Sequence, residues 1–349
     1  MASAKAIDKE HALVVDDLVL YFKLTHGVVQ AVDHVSFSLR RNRAVVVIGE
    51  SGCGKTSMGR AVARLLPRNV GRYTGKVYIN GIETMGLSEE QFREQVRWVE
   101  VSLVPQAAMN ALNPVIKLKD QVLEPLRLHY PDVDEQQAIK RLHEVFDFVG
   151  VPDGFIERYP FELSGGMRQR VVIAMALITD PTLIILDEPT SALDVLTQAN
   201  IYNVLKKIKW EKGTSFLLIT HDVATASELA DDVLVMYAGH AVEYSSAEEF
   251  FAEPLHPYAR MLMAAVPKLY GDEELQFIPG HPPSLLNPPR GCRFADRCPL
   301  AFDKCKLEPP TFRVGERSVK CWLYEKEADG VAYLPGSELE QPQPEGETV

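Results

Sequence analysis

Nowhere in the 349 residues is there an uninterrupted apolar run of about 18 residues, so the sequence predicts no membrane-spanning helix. Positive charge is in deficit. Lys and Arg number 37 against 48 Asp and Glu, a formal net charge of -11 with no long basic tract, which argues against broad binding to nucleic acid. Residues 1–10 mix charges and lack a continuous apolar core, so no secretory signal is expected there. There is no internal repeat and no long coiled-coil insertion. Cysteine is scarce, five in all, and without a sign of secretion a disulfide framework is not expected. Any membrane role therefore comes through a partner.

What is present reads as a well-cored α/β chain, 46% apolar and long enough for one large domain with a smaller appendage. Leu13 and Val15, then Leu18, Leu20 and Phe22, alternate as in half-buried antiparallel strands, and residues 31–39 repeat the pattern. Residues 44–48 are continuously apolar and run into a glycine-rich turn and a helix over 55–66. Further strands are expected at 75–80, 99–104, 183–186, 216–219 and 232–236. Between them lies a mostly helical stretch, 118–150, with Ala138, Leu142, Val145, Phe146 and Val149 on one apolar face. Helices are also expected over 194–210, 247–252 and 257–265. Proline and turn residues dominate 267–310, leaving little room for regular elements, and residues 327–349 read as an acidic, disordered tail.

Residues 49–56, Gly-Glu-Ser-Gly-Cys-Gly-Lys-Thr, fit the Walker A phosphate-loop pattern between a buried strand and a helix. Its glycines let successive N–H groups converge on phosphate oxygens, Lys55 neutralises β- and γ-phosphate charge, and Thr56 offers a hydroxyl to Mg²⁺. The strand at 183–187 ends in two carboxylates. Asp187 is placed to hold Mg²⁺, directly or through water, and Glu188 to act as general base on the attacking water. Residues 163–170, Leu-Ser-Gly-Gly-Met-Arg-Gln-Arg, precede a helix-like run, so Ser164, Gly165 and Gly166 can present N–H groups at a helix N-terminus, where phosphate is favoured.

That octapeptide resembles the signature sequence of ATP-binding cassette (ABC) ATPases, and with the other motifs in family order, residues 13–242 look like one complete cassette. The resemblance implies an ABC-type P-loop ATPase fold, with a RecA-like parallel sheet, an antiparallel β subdomain and a helical subdomain over 107–180. In such a cassette the signature closes over ATP held by a partner subunit. Gln106 takes the place of the Q-loop glutamine that senses Mg²⁺ and the attacking water, His221 that of the switch histidine, and residues 191–194 that of the D-loop. Phe22, rather than its neighbour Tyr21, takes that of the aromatic that stacks on adenine. The implied nucleotide contacts are Phe22, Gly49, Ser51, Gly52, Cys53, Gly54, Lys55, Thr56, Ser57 and Asp187, with Ser164, Gly165, Gly166, Gln169 and Asp194 at the dimer face. Mg²⁺ would be held by Thr56, Gln106 and Asp187.

Beyond the cassette (1–245), residues 254–258, 279–283 and 291–298 resemble the C-terminal extension of dipeptide and oligopeptide importer ATPases, expected to span 246–326. Cys292, Cys298, Cys305 and Cys321, spaced Cys-x5-Cys-x6-Cys-x15-Cys, read as a metal-ligand set in this small irregular extension, for a [4Fe–4S] cluster or zinc, with free thiols as the other alternative. The importer resemblance points to the cluster. It implies an ATPase on the cytoplasmic face of the cell membrane, partnered by two transmembrane permease subunits, a second ABC ATPase that is a paralogue rather than a copy, and, indirectly, an extracytoplasmic solute-binding protein. The solute implied is di- or oligopeptide. One departure stands in the Q-loop, where Ala107-Ala108 replaces an acidic residue and proline, and related systems move oligosaccharides or nickel. A soluble, non-transport ABC ATPase and a binding module without hydrolysis are the other classes. The acidic charge and single cassette argue against the first, and intact Glu188 and His221 against the second.

Overall fold

The computed structural model describes residues 10–191, 193–266 and 277–326, together with the backbone of 330–331. Alternation in the opening residues produces two long antiparallel strands, β1 (His11–Leu24) and β2 (Gly27–Arg40), joined by a tight turn. The apolar run that follows is β3 (Ala44–Ile48), wholly buried, and the phosphate loop leads from it into α1 (Lys55–Val62). Then come β4 (Val70–Ile79), β5 (Ile82–Glu83), α2 (Glu89–Gln95), started by a Ser88–Gln91 capping box, and β6 (Val101–Val104). The expected helical stretch resolves into α3 (Leu118–His129) and α4 (Glu135–Val149), the latter capped by Asp134 and stopped by Gly150 at φ 72°. The signature opens α5 (Gly165–Leu177). After it the chain alternates β7 (Leu183–Asp187), α6 (Val195–Lys212), β8 (Ser215–Ile219), α7 (Val223–Ala226) and β9 (Asp232–Tyr237). The end is β10 (His240–Ser246), α8 (Ala247–Ala252), α9 (Pro257–Ala264), β11 (Phe312–Val314), β12 (Arg317–Val319) and β13 (Gly330–Val331).

Among the described residues two sheets form. The smaller runs β2-β1-β4-β5, antiparallel throughout. The larger runs β13-β11-β12-β10-β9-β3-β8-β7-β6, and its β9-β3-β8-β7-β6 portion is parallel. Both faces of that parallel portion are covered, as its unbroken apolar strands require. Ala44, Val46 and Ile48 of β3 face a core shared with α3, α4 and α5, while Val45 and Val47 face the antiparallel subdomain and α1. The loops after β3, β6, β7 and β8 all leave from the same, carboxyl-terminal edge of the sheet, where ligands of open α/β sheets bind.

The expected break near residue 246 marks a change of texture but not the end of the sheet. β12 pairs with β10 through Glu243–Val319 and Tyr244–Ser318, so the last strands extend the cassette's own sheet. Of the residues between 277 and 310, only 295–297 and 303–306 form short 3-10 turns. The expected disordered tail lies outside the described residues, apart from the two-residue β13, which pairs with β11.

Candidate functional site

Lys55, the first residue of α1, is 6% exposed, and its Nζ donates to the carbonyls of Gly49 at 2.6 Å and Glu50 at 3.0 Å, so the loop curls round its own cation. Thr56 Oγ1 donates to Asp187 Oδ1 at 2.9 Å across from the end of β7. Asp187 is 3% exposed. Burial raises its carboxyl above the ordinary value, with the Thr56 hydrogen bond and the Arg60 charge acting against that rise. A buried carboxylate beside a threonine hydroxyl is an all-oxygen pair suited to Mg²⁺. The Cys53 thiol is buried beneath the loop, 3.8 Å from Lys55 Nζ, and burial pushes its pKa up.

Sheet register brings three further side chains together. Val104 pairs with Leu186, and Asp187 with Ile219, so Gln106, Glu188 and His221 leave adjacent strands at the same level. Gln106 Nε2 donates to Glu188 Oε2 at 2.9 Å, and His221 Nδ1 lies 3.0 Å from Glu188 Oε1. Glu188 has φ 49°, a left-handed conformation that costs about 1–3 kcal/mol in a residue with a side chain. Its N–H is held by Ile219 O at 2.9 Å, and its carbonyl accepts from Ser191 Oγ at 3.0 Å. In the Q-loop departure, Ala107 is also left-handed, φ 53°.

Alternation along β1 separates Tyr21 from Phe22. Tyr21 Oη donates to Asp33, whereas Phe22 lines a pocket of about 310 Å³ together with Ser57, Arg60, Leu66 and Pro67, next to the start of α1. An aromatic face against that helix suits a purine base.

Ser164 is exposed and caps α5, its Oγ accepting from Met167 N at 3.4 Å. Gly165 and Gly166 pack against Met109 and Thr197, linking the signature to the Q-loop and to α6. Asp194 caps α6, accepting from Thr197 N at 3.0 Å, and Ala192 of the D-loop lies outside the described residues. Gln169 does not share Ser164's exposed face. It is 2% exposed within α5, and its Nε2 has no hydrogen-bond partner among the described residues.

Cys292, Cys298, Cys305 and Cys321 are free thiols that line one small cavity with His256, Phe294 and Trp322. Burial raises the thiols of Cys292 and Cys298, and pushes Cys321 up to about 12. Among the described residues, however, no three or more His, Cys, Asp and Glu side chains form a group that could hold a metal ion. The expected ligand set therefore converges on one cavity without being drawn into a metal site.

Comparison with known proteins decides the family. The ABC transporter pattern matches residues 32–191, and the pattern of the oligopeptide/dipeptide transporter C-terminal region matches 242–305. A dipeptide transport ATP-binding protein of Caldanaerobacter subterraneus is 42% identical over 316 residues, covering 89% of this chain and 97% of its own length. The chain belongs to the ABC transporter family. An oligopeptide transport ATP-binding protein of Haemophilus influenzae is similar to the same degree, 42% over 316 residues with the same coverage. Among solved structures, a dimeric ATP-binding cassette in a post-hydrolysis state with ADP and Pi matches with a TM-score of 0.60 at 27% identity, over 67% of this chain and 98% of that one. The protein is thus an ABC ATPase, and ATP with Mg²⁺ fits its family. Among the described residues of this ABC ATPase, no helix is long and apolar enough to cross a membrane.

Sequence reasoning missed the residues that back the phosphate loop. Tyr258, within the stretch 254–258 that resembles the importer extension, accepts the N–H of Glu50 at 2.8 Å, and Arg297 pairs with the Glu50 carboxylate. Two arginines placed between cysteines of one short stretch, Arg293 and Arg297, were the available signal.

Proposed function

We propose that this chain is the ATP-hydrolysing subunit of an importer for di- and oligopeptides, and that the cluster centred on Glu188 carries its chemistry. The observation behind this reading is the convergence of Gln106, Glu188 and His221 beside the Thr56–Asp187 pair. Lys55 and the loop N–H groups bind the β- and γ-phosphates, and Phe22 stacks on adenine. Thr56, Asp187 and Gln106 would hold Mg²⁺, which would supply positive charge against the phosphates. Glu188 takes the proton of the attacking water, with Gln106 and His221 orienting its carboxylate. Ser164 and its two glycines face the γ-phosphate of ATP bound to a second ABC ATPase, a paralogue. Because ATP binds the closed pair better than the open one, hydrolysis releases it. Asp194 acts at that same face.

The working division is a cassette over 1–245 with its helical subdomain at 107–180, an extension over 246–326 and a tail over 327–349. The chain acts peripherally on the cytoplasmic face of the membrane, beneath two permease subunits that receive solute from an extracytoplasmic binding protein. A cleft of about 630 Å³ between the sheet edge and the helical subdomain, lined by Trp98, Leu103, Pro105, Leu112, Ile116 and Val172, supports permease docking, because it is open, largely apolar and continuous with the Q-loop. Cells lacking this chain are expected to lose uptake of labelled dipeptide and tripeptide, and to regain it with the wild type but not with Glu188→Gln. Undiminished uptake in the deletion would overturn the peptide assignment.

For the cysteines, the reading is a [4Fe–4S] cluster, supported by four thiols on one cavity and by a Cys₄ donor set. Such a cluster would add order to a segment poor in regular elements. Protein purified without oxygen is expected to absorb broadly in the blue and to carry about four irons per chain, both lost in Cys298→Ser. Stoichiometric zinc without iron would replace this assignment, and neither metal would remove it.

A further inference from the structure

Glu50, the second residue of the phosphate loop, is gripped at three points. Its N–H donates to Tyr258 Oη at 2.8 Å, its carboxylate accepts Arg297 Nη1 at 2.7 Å and Nη2 at 2.9 Å, and its carbonyl accepts Lys55 Nζ at 3.0 Å. Two of the three come from the extension, Tyr258 on α9 and Arg297 immediately before Cys298. The Arg297 side chain is 6% exposed and is itself tied down, donating to Pro279 O at 2.7 Å and Tyr237 Oη at 3.1 Å. Around it the rings of Tyr237, Tyr258 and Phe294 lie within 4.6 to 5.4 Å of one another. Four residues earlier, Arg293 donates to Ala238 O at 2.5 Å and pairs with buried Asp33, the acceptor of Tyr21 Oη beside Phe22. One short stretch between two cysteines therefore reaches the phosphate loop and, through Asp33, Tyr21 on β1.

We infer that Arg297 is a positioning residue for ATP: by fixing Glu50 it fixes the carbonyls that hold Lys55, and so sets affinity for the phosphates. A buried ion pair adds little net stability, because desolvation offsets the Coulombic gain. What a planar, bidentate guanidinium supplies is orientation, and a lysine cannot reproduce its fork. Arg297 touches none of Gln106, Glu188 or His221, so its effect falls on binding and not on the chemical step.

This inference rests on the proposed ATP site, and its test separates the two. The purified full-length chain, with Arg297→Gln, Arg297→Lys, Glu50→Gln and the Glu50→Gln/Arg297→Gln pair, is titrated calorimetrically with a non-hydrolysable ATP analogue and Mg²⁺. Arg297→Gln is expected to raise Kd by about tenfold or more, with Arg297→Lys between it and the wild type. The double variant is expected to bind no worse than the weaker single, because both changes break one contact. In steady state KM rises with kcat retained. A purely structural role would instead lower the binding stoichiometry and leave Kd unchanged. Unchanged Kd in Arg297→Gln, or single effects that add in the double, would overturn the positioning role. Should Arg297→Gln not fold, Glu50→Gln alone decides, since its side chain keeps its size and an unaltered Kd there refutes the brace. No binding by the wild type would instead sink the ATP site.

Discussion

Glu188→Gln is expected to bind ATP as the wild type does and to hydrolyse it roughly 10²- to 10⁴-fold more slowly. The substitution keeps the size of the side chain and leaves an oxygen to accept from Gln106, now 2.9 Å from the carboxylate. What it removes is the basic oxygen that can take a proton from water. Lys55, Thr56 and Asp187 are untouched: Lys55 is anchored by loop carbonyls and Thr56 by Asp187, neither through Glu188. The left-handed backbone at Glu188 is held by Ile219 O, so the amide meets the same frame. Single-turnover hydrolysis measured beside nucleotide titration checks both halves. Turnover within a few-fold of wild type would sink the general-base role, and lost binding would show that Glu188 also shapes the ground-state site.

Most of that site was legible because each part couples a local residue type to a local element. A continuously apolar strand followed by glycines, Lys55 and Thr56 can be read within a dozen residues, as can the apolar strand ending at Asp187 and Glu188. Gln106 and His221 are different. Neither residue type announces a role, and only family order placed them. Their convergence on one carboxylate depends on the register of three parallel strands, which no single segment encodes.

The strand β10 escaped notice for a physical reason: His240, Glu243 and Ser245 are buried in it, breaking the apolar alternation. Ser245 Oγ donates to Glu243 within the strand at 3.1 Å, and the other two are satisfied from elsewhere. Glu243 accepts the N–H groups of Leu255 and His256, and His240 lies 3.2 Å from Asp33, its pKa lowered by burial to about 4. The Arg297–Glu50 pair spans 247 positions of sequence, beyond the reach of any periodicity. The change of texture and the resemblance of the later segments likewise suggested a boundary at 245 and 246, although β12 carries the same sheet past it. Gln169 was placed with the signature by its neighbours in sequence, but the turn of α5 carries it inward.

Two alanine substitutions in the phosphate loop are expected to fail in different ways. Gly54 has φ 108°, and a Cβ there would stand 2.0 Å from the Ala31 carbonyl oxygen of β2. That neighbour is backbone in a paired strand, so no rotamer change relieves the clash, and the φ penalty comes on top. Gly54→Ala should cost more than about 3 kcal/mol and displace the start of α1, taking the N–H groups of Lys55 and Thr56 with it. Gly52 has φ 78°, but a Cβ there meets nothing within 4 Å. Its cost to folding is the left-handed backbone alone, about 1–2 kcal/mol. The added methyl would project into the open side of the loop, where the proposed site receives phosphate oxygens. Thermal melts with and without Mg²⁺ and ATP separate the two outcomes. Gly54→Ala should melt about 6 °C or more below wild type, and Gly52→Ala within a few degrees of it, with neither stabilised by nucleotide as the wild type is. A full nucleotide-induced shift in Gly52→Ala would move the phosphates off that side of the loop, and a wild-type melt for Gly54→Ala would mean that β2 yields.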